Sequence, residues 1–222
     1  MRLYIIRHAD PDYENNTITS QGRKEAKALA KRMKSTGIDH IYCSPLGRAI
    51  DTMKYSARLM HLEYTIQDWT KEIPITTKLE PWGKMSIVDV PGEVIRGENP
   101  YNQSLELQSW FNNIEKESDS FLLKHGYERR DGMYRIIQSN TKKIAVFCHA
   151  GMGMAWIAHL LAIPLSNFWS GFWPAPSSVT TILFEERSET WAVPRCLGFG
   201  DVSHLYKSRL PISSRGLIAN QY

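Results

Sequence analysis

A chain of 222 residues that is 42% hydrophobic and 23% charged is long enough to bury a full core without disulfide or metal staples, and its length suggests one domain. Three cysteines, Cys43, Cys148 and Cys196, form an odd set without metal-type spacing, which argues against a disulfide framework and for reduced thiols. A formal net charge of +4 with no long basic block is too diffuse for a nucleic-acid face and suits a small anionic ligand.

The first apolar run, Leu3 to Ile6, is stopped by Arg7. That is too short for the hydrophobic region of a signal peptide. Its unbroken, strand-forming character predicts a strand covered on both faces and ending in Arg7-His8. From Thr19 the period changes. Ala26, Leu29, Ala30 and Met33 recur at i, i+3, i+4 and i+7, predicting an amphipathic helix capped by Thr19 or Ser20 and stopped at Gly37. Ile38 to Cys43 reads as a second strand. Ser44-Pro45 then starts a helix whose buried face is Ile50, Met53, Ala57 and Met60.

From about residue 65 to 140 the chain is rich in Pro, Gly, Trp and charge, with one helical pattern at Leu107, Phe111, Ile114, Phe121 and Leu122. This predicts a cap inserted into the core. Ile144 to Cys148 repeats the continuous apolar strand, ends in His149 and leads into a helix carrying Ala155, Trp156 and Leu160. The stretch from Ala150 to about Leu165 is broken by His159 and Pro164, short of the ~20 residues that span a bilayer; no membrane association is expected, and a cytoplasmic location is. Val179–Phe184 and Thr190–Val193 read as closing strands. The whole predicts an α/β fold: one domain over 1–222, a mostly parallel central sheet with helices on both faces, and a cap at about 65–140.

In open α/β sheets ligands sit beyond the carboxyl ends of the strands. Arg7, His8 and His149 should all arrive there. Small residues follow both histidines, Ala9 after one and Ala150-Gly151 after the other, leaving space for a phosphate to approach free backbone N–H groups at a helix start. Adjacent strand residues point to opposite faces, so Cys148 and His149 are a poor metal pair; no metal and no cofactor is expected.

Arg7-His8-Ala9-Asp10, Thr19-x-x-Gly22, Ser44-Pro45-Leu46-x-Arg48-Ala49-x-x-Thr52 and His149-Ala150-Gly151, in that order, resemble the histidine phosphatase (phosphoglycerate mutase-like) superfamily. The resemblance covers residues 1–62 and 142–184. It implies that His8 is a nucleophile that becomes transiently phosphorylated, that Arg7, Arg48 and His149 bind the phosphoryl oxygens, and that a glutamate after the second helix is the general acid and base. Such a charge clamp is chemically sound, because a transferring phosphoryl group spreads negative charge over three oxygens. For the glutamate, Glu72 in Asp68-Trp69-Thr70-Lys71-Glu72 is favoured over Glu80 before Pro81-Trp82-Gly83. Ser44 adds a minor hydroxyl contact. His204 could line the pocket, although a structural role weighs more. The family's usual glycine and glutamate after the first histidine are here Ala9 and Asp10, and an alanine follows the second histidine.

The expected activity is hydrolysis of small phosphomonoesters without a metal. A phosphoglycerate mutase-type phosphotransferase and an inactive phosphate-binding regulatory module are the alternatives. The expected partner is a small phosphorylated molecule, with the chain a monomer or homodimer.

Overall fold

The computed structural model describes residues 1–73, 78–79, 85–86 and 105–217. Among them an eight-stranded sheet has the order β5-β4-β10-β1-β11-β12-β9-β8. Its strands are β1 (Arg2–Arg7), β4 (His40–Cys43), β5 (Tyr64–Ile66), β8 (Tyr127–Arg130), β9 (Met133–Ile136), β10 (Lys143–Cys148), β11 (Val179–Glu186) and β12 (Trp191–Asp201). Two small ribbons, β2 (Pro11–Asp12) with β3 (Thr17–Ile18) and β6 (Lys78–Leu79) with β7 (Met85–Ser86), lie outside it.

Strands β5, β4, β10 and β1 run parallel, whereas the β1–β11, β11–β12, β12–β9 and β9–β8 pairings are antiparallel. The expected mostly parallel sheet is therefore corrected to a mixed one. The reason is connection length: a parallel neighbour needs a crossover of a dozen or more residues, and the turns joining β11 to β12 and β8 to β9 are far shorter. Asp131 and Gly132 both take positive φ, 48° and 80°, the backbone of a tight Asp-Gly hairpin.

Alternate residues of the central strands feed two cores. Leu3 and Ile5 join Ile144, Val146, Met152 and Trp156 on one face; Tyr4 and Ile6 join Leu29, Met33 and Met53 on the other. Helices α1 (Ser20–Thr36) and α2 (Gly47–Met60) cover the second face, and α3 (Leu105–Lys124), α4 (Ala150–Leu161) and α5 (Leu165–Gly171) the first. Helix α6 (Ser203–Lys207) packs against α1. Helix α1 follows its sequence signals: the Thr19 hydroxyl accepts from the Gly22 N–H, and Gly37 closes the helix in the left-handed region at φ 73°. Leu29, Met33 and Met53 are fully buried, so truncating any one to alanine should cost about 2–5 kcal/mol.

The segment expected to form a cap is partly built into this sheet. Tyr64–Ile66 pairs with β4 and Tyr127–Ile136 forms the opposite edge, while α3 packs on α4 and β8. Residues 87–104 lie outside the described residues.

Candidate active site

The parallel register of β1 with β10 pairs Arg7 with Cys148. One step further along both strands come His8 and His149, and the His8 N–H donates to the Cys148 carbonyl at 2.9 Å. The two rings consequently meet with centroids 5.2 Å apart. Both are almost fully buried.

His8 is fixed through its Nδ1, which is 2.8 Å from the Ala9 carbonyl. A carbonyl only accepts, so Nδ1 carries the proton and Nε2 keeps its lone pair. Burial, with the positive field of Arg7 and Arg48 behind it, pushes the ring's pKa down to about 3, leaving it neutral at ordinary pH. The residue that holds it is itself held. The Ala9 N–H donates to Thr52 Oγ1 at 2.9 Å, and that hydroxyl donates to the Arg48 carbonyl at 2.8 Å. Helix α2 thus orients the nucleophilic candidate through one threonine.

His149 is held differently, by Ser44, whose Oγ lies 2.7 Å from Nε2. Ser44 also accepts from the Leu46 N–H at 3.3 Å. With the hydroxyl proton donated to Nε2, the ring's own proton sits on Nδ1. Burial, His8, Arg48 and Arg7 all hold this ring neutral.

The arginines approach from two sides. Arg7, on the opposite face of β1, gives Nη1 to the Pro174 carbonyl at 2.7 Å and Nη2 to the Arg215 carbonyl at 3.1 Å. Arg48, in the first turn of α2, reaches Asn16 Oδ1 at 3.1 Å and stacks over Tyr13. Three buried nitrogens in this group, Arg7 Nε, Arg48 Nε and His149 Nδ1, have no partner among the described residues. Unpaired buried donors are costly, and oxygens of an anion would satisfy them.

Glu72 follows a short 3₁₀ turn (Asp68–Thr70) and reaches the start of α4. Its carboxylate accepts from the Met152 N–H at 2.9 Å and the Gly151 N–H at 3.3 Å. Those amides pull its pKa down, but burial outweighs them and raises it above the ordinary carboxylate range. It lies close enough to Arg7 and Arg48 to interact with both charges. A glutamate used only as a helix cap would be stabilised in its charged form; this one is pushed toward holding a proton.

This arrangement corrects one expectation. The backbone N–H groups after the histidines are not free for a phosphate: Ala9 donates to Thr52, Asp10 to Glu25, and Gly151 and Met152 to Glu72. Small residues there leave room for side-chain acceptors, and the charge clamp is left to side chains. His204 lies behind the site, its Nε2 3.2 Å from Ser177 Oγ, and the Ser177 N–H donates to the His8 carbonyl at 3.0 Å. Glu80 lies outside the described residues.

Several members of the site carry only a faint trace in the sequence. Glu25 is the single acid of α1 and is fully buried; burial raises its pKa to about 7. Its place on the apolar stripe beside Ala26 and Leu29 is the signal. The tail leaves none. Ser213 donates to Asp10, and Arg215 offers its carbonyl to Arg7, contacts across more than two hundred residues that no local pattern foretells.

Fold and site define a histidine-centred, arginine-flanked centre at the carboxyl ends of adjacent parallel strands. Residues 3–81 match the model of the histidine phosphatase superfamily (branch 1), and the motifs on both strands are similar to those of that superfamily. Over 150 residues the chain is 25% identical to a probable phosphoglycerate mutase GpmB of Proteus mirabilis, covering 57% of this chain and 70% of that protein. Phosphoserine phosphatase 1 of Hydrogenobacter thermophilus is 25% identical over 205 residues, 84% of this chain and 88% of that one. In fold, the chain is similar to Entamoeba histolytica phosphoserine phosphatase solved with 3-phosphoglyceric acid: TM-score 0.60, 21% identity, covering 92% of this chain and 98% of that chain.

Proposed function

We propose that this protein hydrolyses small phosphomonoesters through a phosphohistidine on His8, without a metal ion. The observation that carries the reading is the state of His8: a buried neutral ring, pinned through Nδ1, in the field of two arginines and 5.2 Å from a second histidine ring. In the first step the Nε2 lone pair attacks phosphorus and the bond to the ester oxygen breaks. Glu72 gives its proton to the departing alkoxide. In the second, water attacks phosphohistidine, its proton passes to Glu72, the P–N bond breaks and phosphate leaves. Arg7, Arg48 and His149 balance the charge on the three equatorial oxygens throughout.

The chain is similar to relatives named as a phosphatase and as a probable mutase, so a mutase reading stands second. Water access separates them: a mutase must hold its product until the phosphoryl group returns, and a hydrolase must let it go. The test is phosphate release from a panel of phosphomonoesters in EDTA, native protein against His8→Ala. Release that survives EDTA and vanishes in the variant supports the proposal. Absence of release from every ester in the native protein overturns hydrolysis.

A further inference from the structure

Helix α1 carries Arg23, Lys24, Lys27, Lys31, Arg32 and Lys34 against one acid, the buried Glu25. Lys24, Lys27, Lys31 and Lys34 fall at i, i+3, i+7 and i+10, one narrow face of the helix. Like charges so spaced repel by roughly 0.2–0.5 kcal/mol a pair. Among the described residues Arg32 is the α1 cation with an ion pair, to Asp201 at 2.7 Å.

At the edge of this face, where Lys31 and the α1 residues beside it meet α6, there is an open groove of about 1310 Å³, solvent at its mouth included. Lys31, Arg32 and Ser35 line one wall, and His204, Lys207 and Ser208 the other. Arg32 is spent on Asp201, whereas the Lys31 and Lys207 amines have no hydrogen-bond or ion-pair partner among the described residues. Two unneutralised ammonium groups lining one groove, together with serines, form the lining that a multiply charged oxyanion needs. The groove is too large for a lone phosphate and has room for the rest of a metabolite.

The groove is also wired to the catalytic centre. His204, 4% exposed, forms part of its wall. Its Nδ1 is buried without a partner among the described residues, and its Nε2 meets Ser177 Oγ. Ser177 sits at φ 59°, uncommon for a residue with a side chain, and its N–H holds the His8 carbonyl. The same short loop supplies the Pro174 carbonyl that holds Arg7. A shift of His204 therefore reaches both His8 and Arg7 in two contacts.

We propose that the groove between α1 and α6 is a second anion site, separate from the catalytic centre, that takes a phosphorylated small molecule of at least two negative charges and modulates His8 through His204 and Ser177. The probe is inorganic pyrophosphate in EDTA, titrated calorimetrically into full-length protein bearing Arg48→Ala, so that the catalytic centre is weakened. Binding should persist there and fall by roughly tenfold or more, 1.4 kcal/mol per tenfold, when Lys31→Ala and Lys207→Ala are added. Lys24→Ala with Lys27→Ala, on the same helix but outside the groove, should leave it unchanged. No binding, binding indifferent to the groove pair, or equal loss in the Lys24/Lys27 control each overturns the site, the last by showing diffuse attraction only. Coupling has its own readout: in otherwise native protein pyrophosphate should alter turnover beyond simple competition, and His204→Gln should keep the binding and lose that extra effect. If His204→Gln retains the effect, the proposed route is wrong. The binding titration needs no turnover, so it stands or falls apart from the phosphatase reading.

Discussion

Strands β1 and β10 end alike in sequence, each an apolar run stopped by a histidine and a small residue, yet the two histidines are held by opposite kinds of group. His8 gives its Nδ1 proton to a backbone carbonyl and is left with a bare Nε2. His149 meets a hydroxyl, which can donate to it, and is left with a buried Nδ1 on the other side of its ring. One strand end therefore presents a lone pair, and the other presents a proton when the Ser44 hydroxyl donates. The difference lies in what the neighbouring elements bring: α2 sends Thr52 to fix the peptide after His8, and the loop after β4 sends Ser44 to His149. On the proposed mechanism, attack and charge stabilisation are divided between two similar motifs by their partners.

The largest effect expected from breaking this division is at the lone pair. His8→Ala should remove phosphate release altogether, whereas His149→Ala should lower kcat by about 10²–10³, the usual cost of one transition-state donor; equal losses would erase the distinction. Glu72→Gln comes next. Its loss of about 10²–10⁴ should be smaller for an ester with a good leaving group, such as p-nitrophenyl phosphate, than for an alkyl phosphate. A uniform loss across leaving groups would return Glu72 to the role of a helix cap. Third, Thr52→Val should reduce kcat more than KM and cost about 1–3 kcal/mol in an unfolding titration, because the Ala9 N–H is left buried and unpaired. Ser44→Ala, which frees the His149 ring and a Leu46 N–H held only at 3.3 Å, should cost less stability than Thr52→Val.

The smallest effect is on stability against pH. In the folded protein burial lowers His8 to about 3 and His204 to about 4 from an ordinary 6.5. The unfolded chain thus binds more protons between those values, and stability should fall as pH drops from about 6.5 toward 4. Glu25 works the other way: raised to about 7 from 4.5, it favours the folded state at low pH and loses that contribution as pH rises through about 7. Melting temperatures of the native protein and His204→Gln at pH 4.5 and 6.5 measure the histidine part; the variant's drop should be the shallower.

The two halves of the sheet were unequally legible. On the motif-bearing side, β1, α1, β4, α2, β10 and α4 follow from apolar period, caps and breakers, and α1 begins and ends where Thr19 and Gly37 direct. The second helix starts at Gly47 rather than Ser44, because Ser44 stays in the loop and turns its hydroxyl to His149. On the other side Tyr127–Ile136, read as part of a cap, is a sheet edge. Its strands mix charge with apolar residues, and the Asp-Gly turn between them was the available clue.

By itself the sequence determined which chemistry-bearing residues stand at strand ends, because apolar periodicity acts over a few residues: His8, His149 and Arg7 come from such local rules, while Arg48 and Ser44 were singled out by the family resemblance of their motif. What the tertiary structure alone decided was their partners and therefore their states. Ala9 and Thr52 pin one imidazole, Ser44 turns the other, Glu72 closes on α4, Glu25 takes the Asp10 amide, and residues 213–215 return to Asp10 and Arg7. Each of these contacts depends on packing and burial across long stretches of chain; the hydrogen-bond partner sets which nitrogen holds a proton, and burial sets whether a ring or carboxyl is charged.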